Sequence, residues 1–178
     1  TRVPLMIRTP GMAQPGAATE ALTEYVDVYL TLAELAGLTP PGDLDGRSLV
    51  PMLNDPLAKG RELVLSQFNR PWTPAVPEFM GYSIRTETHR YTRWVEWLTR
   101  KTTAEELYDY TSQASATRDG AFLIEQQNMI SNPAYAETLD QLRSKLDEVW
   151  STRIKLKPTD APATGEPKTR KKKRKKNP

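Results

Sequence analysis

The chain has no cysteine, which excludes a disulfide framework, a thiolate metal site and a cysteine nucleophile. A single histidine, His89, excludes any two-histidine zinc motif. No glycine-rich phosphate loop is present among the nine glycines. No apolar run approaches the roughly 20 residues of a membrane-spanning helix, so an integral helical membrane protein is not expected. Paired carboxylates at metal-binding or acid–base spacing are also missing.

What is present suffices for one ordinary domain with a tail. The 178 residues are 38% hydrophobic and 26% charged, enough apolar side chains for a core. The net charge of +3 conceals two opposite regions. Of 25 basic residues, eight fall within 168–176, so the remaining 17 face 22 acidic ones and the body carries about −5. Any polyanion binding argued from charge rests on that tail alone. After Lys157 the composition turns to Pro, Thr, Ala, Gly and then Lys and Arg, which predicts disorder.

Val3-Pro4-Leu5-Met6-Ile7 reads as a buried strand ending at Thr9-Pro10-Gly11. From Thr19 to Leu38, Leu22, Val26, Tyr29, Leu32, Ala33 and Ala36 recur at helical spacing, and Gly37 suits the C-cap. Ser48 predicts a cap for a short helix through Leu53. Leu63–Leu65 reads as a strand, followed by a Pro-rich loop from Asn69 to Phe79. Gly81–Thr86 and Arg90–Trp97 alternate as two arms of a hairpin, and Leu107–Tyr110 as a further short strand. Ser112–Gly120 is loop-like. Asn132 and Pro133 open a second helix to about Lys155, with Leu139, Leu142, Leu146, Val149 and Trp150 as its apolar stripe.

Composition alone assembles no active site, because a nucleophile needs a base beside it and only His89 is on offer. His89 reads either as a residue flanking the hairpin turn or as a group at a cleft rim. Tyr82, Tyr91, Trp94 and Trp97 read either as sheet packing or as a platform on which a sugar ring stacks. The tail reads either as a solvated polycation or as a contact for nucleic acid or another polyanion.

Several segments in order resemble the C-terminal part of a sulfatase of the alkaline-phosphatase superfamily, of the iduronate-2-sulfatase type. They are Arg2–Ile7 with Pro10-Gly11, Asp27–Leu32 with Leu35–Leu38, and Leu44–Leu53 with its Gly46-Arg47-Ser48-Leu49 core. Ser66–Pro71, Met80–Thr86, Arg90–Thr92, Trp94-Val95, Glu106–Asp109 and Glu125–Met129 continue the likeness. It runs from Thr1 to about Trp150. Leu30 stands where that family has Pro, and the stretch from Tyr110 to Glu125 is longer than usual and lacks a Ser-Asp-Pro step.

The resemblance implies an α/β fold: the C-terminal portion of an alkaline-phosphatase-like sulfatase with a small antiparallel sheet, a terminal helix and a disordered basic tail. Residues 1–60 are expected to end the main α/β domain, 61–157 to form the antiparallel subdomain and 158–178 the tail. In a complete enzyme of this type a hydrated formylglycine attacks sulfur while Ca2+ and basic residues stabilise the sulfate charge. Neither that residue nor the metal ligands match any position here, so no cofactor is expected on this chain and no catalytic residue is assigned. The implied partners are a sulfated saccharide and a missing N-terminal catalytic domain, with secretion or a periplasmic location. Gln67, Arg70 and His89 are the candidates for substrate contact at the cleft rim. A non-catalytic α/β module presenting a polybasic tail is the competing expectation.

Overall fold

The computed structural model describes residues 3–72, 76–111 and 124–154. The expected loop at 112–120 and the basic tail lie outside the described residues. In chain order, helix α1 (Val26–Leu35) and the short α2 (Val50–Asn54) precede four strands, β1 (Val64–Arg70), β2 (Phe79–Arg85), β3 (His89–Glu96) and β4 (Thr102–Asp109). A 3-10 turn (Pro133–Tyr135) leads into α3 (Ala136–Val149), which closes in a π-helical turn (Trp150–Ile154). No helix among the described residues is long and apolar enough to cross a membrane.

The strands form one antiparallel meander in the order β1-β2-β3-β4. Residues paired across a ladder share a face and alternate along each strand. The row Leu65, Ile84, Tyr91 and Leu107 therefore points to one side. There it meets Leu139, Leu142 and Leu146 of α3, and with Tyr82 and Val95 these form the core. The predicted stripe of α3 is thus its buried face. Asn132 caps the preceding turn, accepting from the Ala134 N–H, and Pro133 follows where no N–H is needed. The hairpin is as expected, with Thr86–Thr88 as its turn: the Thr86 N–H donates to the His89 carbonyl and Thr86 Oγ1 accepts from the His89 N–H.

Four expectations need correction. The strand read over Leu107–Tyr110 begins at Thr102 and ends at Asp109, because β3 pairs with the residues before Leu107 as well. Val3–Ile7 is not a strand; it runs as irregular backbone with Val3, Leu5 and Met6 exposed. A strand exists only by pairing, and no described strand lies beside it. Helix α1 starts at Val26 rather than Thr19, because Asp27 folds its carboxylate back onto the Glu24 N–H and so closes the entry turn. The strand expected to end at Leu65 continues to Arg70, since β2 supplies a partner for every residue from Val64 onward. The end of α1 is as predicted. Gly37 takes the left-handed conformation (φ 66°), and the Leu38 and Gly37 N–H groups donate to Ala33 and Glu34.

An ionic knot joins α1 to the rest of the chain. Asp27, almost wholly buried, accepts from the backbone N–H groups of Glu24 and Arg47 and from Arg61 through Nε and its terminal nitrogen. Glu24 takes the Leu65 N–H of β1 and both terminal nitrogens of Arg153 beyond α3. Thr31 adds a second link, donating to the Asp27 carbonyl and accepting from the Leu49 N–H.

Candidate functional site

The sheet face opposite α3 carries the side chains that the core does not absorb. Phe68, Gly81 and Trp94 form one cross-strand row, and Arg70, Phe79 and Glu96 form the next. Gly81 is required here by space. A Cβ on it would stand 2.9 Å from the Trp94 ring, so its absence lets the indole lie over the sheet. The Trp94 indole N–H donates to Glu106 at 2.9 Å, which fixes the ring from its other side. The Arg70 guanidinium then lies over Trp94, 4.5 Å from the ring centroid. Gly81→Ala is accordingly expected to tilt Trp94 and destabilise the fold by about 1–3 kcal/mol, as overpacking does. Urea unfolding followed by tryptophan fluorescence checks it.

The three rim candidates do not form one cluster. Gln67 and Arg70 share β1 but face opposite sides; Gln67 pairs with Tyr82 and stands exposed at the sheet's edge. His89 opens β3 at the other end of the sheet, about 20 Å from Arg70 by strand rise. Its Nδ1 lies 2.9 Å from Thr88 Oγ1 and its Nε2 3.8 Å from Asp109, whose carboxylate also accepts from Tyr135. Burial pushes the His89 imidazolium down from its ordinary value, against the pull of Asp109 and with that of Arg85. At neutral pH it offers a hydrogen-bonding ring rather than a cation.

Among the described residues Arg70 has no acid partner, as Arg47 and Arg100 have none, but unlike Arg100, whose guanidinium nitrogens are buried over Trp97, it stands exposed. Arg61, Arg90, Arg93, Arg143 and Arg153 all pair with carboxylates. None of the ion pairs among the described residues includes Arg70. Its planar fork lies over Trp94 and is exposed, with donors available to a carboxylate or sulfate. Of the four aromatics read from the sequence, Tyr82 and Tyr91 are completely buried and so belong to packing. Trp94 serves Arg70 instead. Phe68 and Trp72 escape the sequence reading because it ends the strand at Leu65 and starts a loop at Asn69, whereas β1 runs to Arg70 and puts Phe68 on the Arg70 face.

Among the described residues, no group of three or more His, Cys, Asp or Glu side chains is arranged to hold a metal ion.

The N-sulphoglucosamine sulphohydrolase C-terminal family matches residues 1–152. The chain belongs to that family. It is 27% identical over 158 residues to the Delta 4,5-hexuronate-2-O-sulfatase of Bacteroides thetaiotaomicron, covering 87% of this chain and 29% of that protein. It is 32% identical over 149 residues to the iduronate 2-sulfatase of Mus musculus, covering 53% of this chain and 27% of that protein. A solved structure in complex with its substrate D-glucosamine-2-N,6-O-disulfate shares the fold. Its TM-score is 0.66 at 22% identity, over 86% of this chain and 29% of the other. The chain thus spans under a third of the length of these relatives.

Proposed function

We propose that this sulfatase C-terminal domain forms the substrate-facing part of a sulfuric ester hydrolase acting on sulfated saccharides, of the iduronate-2-sulfatase type. In this reading residues 1–60 complete the edge of a main α/β domain, and 61–157 form a subdomain overhanging the cleft. The bond-breaking groups come from elsewhere in the complete protein. The observation that carries the proposal is Arg70, an acid-free guanidinium stacked on Trp94 at an open end of the sheet. The relatives named as sulfatases of hexuronate and iduronate residues support the substrate class. Gln67 lies three residues away on the other face of the same strand, so it is not part of the Arg70 contact.

Arg70 contributes a charged grip, not a chemical step. A two-point contact to a carboxylate or sulfate is strong and directional, and a lysine reproduces its charge without its fork. In the complete enzyme, Arg70→Ala is expected to lower kcat/KM for a sulfated disaccharide roughly ten- to hundredfold, with Arg70→Lys recovering only a small part. Turnover of a small aryl sulfate should hold in both. Equal disaccharide kinetics in parent and Arg70→Ala would remove Arg70 from the substrate path. Truncating 168–178 tests the tail separately. Binding of long sulfated chains should weaken at low salt only, since its contacts act by counterion release, while disaccharide turnover stays unchanged.

A further inference from the structure

Beside Arg70, two large aromatic side chains remain uncovered. Phe68 is 46% exposed and Trp72 75% exposed, and their rings stack with centroids 5.1 Å apart and planes 24° from parallel. Stacking holds each ring in place while leaving both presented to solvent. Phe68 shares the face of Arg70 two residues along β1, and Trp72 lies two residues beyond Arg70. One short segment therefore brings together an aromatic pair and an unpaired guanidinium.

We propose that Phe68, Trp72 and Arg70 form a saccharide subsite. A hexopyranose ring lies with its C–H face against the aromatic pair, and its carboxylate or sulfate is held by the Arg70 fork. This deepens the function proposed above, and it rests on the sulfated-saccharide reading for its choice of sugar. Aromatic faces carry partial negative charge, which suits the polarised C–H groups of a sugar ring. Charge decides between occupants. A protein surface docked on this patch would desolvate Arg70, whereas an anionic sugar brings its own counter-charge. The acids nearest in register do not ion-pair with Arg70: Glu106 accepts the Trp94 indole N–H, and Glu96 accepts the Thr99 hydroxyl.

The test uses the complete enzyme with two probes, a sulfated uronate-containing disaccharide and a chromogenic aryl sulfate. Trp72→Ala and Phe68→Ala are each expected to raise the disaccharide KM about five- to tenfold, with kcat and aryl sulfate turnover unchanged. Equilibrium binding of the disaccharide, followed by quenching of tryptophan fluorescence, should weaken by the same factor, and Trp72→Tyr should retain most of the affinity. Unchanged disaccharide KM and binding in both alanine variants would overturn the subsite. An equal loss on both substrates, or a fall in Tm, would also overturn it, by showing that the pair packs against protein. If the parent hydrolyses neither probe yet binds the disaccharide in a Trp72-dependent way, the sulfatase reading falls and the subsite stands.

Discussion

Asp27→Ala is expected to destabilise the protein by about 3–5 kcal/mol, the usual result of removing one partner from a buried ion pair. The carboxylate is almost fully buried, and it accepts two backbone N–H groups besides the Arg61 guanidinium. Its loss strands all of these donors, and Arg61 keeps only the Asp45 carbonyl and a looser approach to Glu24. Arg61→Met in the same chain should restore much of the loss, because the buried charge then leaves together with its partner. Urea unfolding of the single and double variants measures both. A single Asp27→Ala variant within about 0.5 kcal/mol of the parent, the usual range for surface substitutions, would show that the knot is not structural.

The same knot predicts how stability depends on pH. Burial works against the charge on Asp27, but the Arg61 hydrogen bond and the Glu24 and Arg47 N–H groups outweigh it and hold its carboxyl below 3.8. In Glu24 burial is likewise outweighed, by Arg153 and the Leu65 N–H, which hold it below 4.5. The folded state thus binds these protons less readily than the unfolded chain. The stabilisation is complete above those ordinary values, and it is lost as pH falls below them through the folded ones. Asp27→Asn should flatten the acid limb of the stability curve.

None of this knot was legible as a knot. In the sequence Asp27 is only an acid inside a helix that reads as starting at Thr19. Its partners, however, lie 20 and 34 residues away, at Arg47 and Arg61, and only the fold brings them together. Local signals fared better. Gly37, Asn132-Pro133, the hairpin turn and the α3 stripe each depend on neighbours within one or two turns, and each lies where the residues put it. Arg70 was legible as a guanidinium in a loop, but its place on β1 and its support by Trp94 depend on cross-strand register, at Phe79 and at Gly81. Val3–Ile7 shows the opposite limit. Its residues have strand character, yet pairing is a property of two segments, and no described strand lies beside this one.

That unpaired segment leads to the second large effect. Met6 is 91% exposed and Leu32, on the outer side of α1, is 60% exposed; Tyr25, Val26, Tyr29 and Leu38 are uncovered as well. On α1 and its flanks alone, Tyr25, Val26, Tyr29, Leu32 and Leu38 expose more large apolar surface than ordinary soluble surfaces carry, and Met6 adds a separate exposed group. Relatives of which this chain covers under a third hold the additional protein that is expected to cover this surface. Produced alone, the chain should therefore bind a hydrophobic dye and self-associate, with the sheet and α3 still melting cooperatively around their own core. Leu32→Glu separates the patch from the core because its effect changes sign with context. In the isolated chain it should reduce dye binding and association and leave Tm nearly unchanged, since the side chain already faces water. In the complete enzyme the same carboxylate would be buried without a partner, which costs several kcal/mol, and sulfatase activity and Tm should both fall sharply. Equal tolerance in the two contexts would mean that α1 faces solvent in the whole protein, and that its apolar side has another purpose.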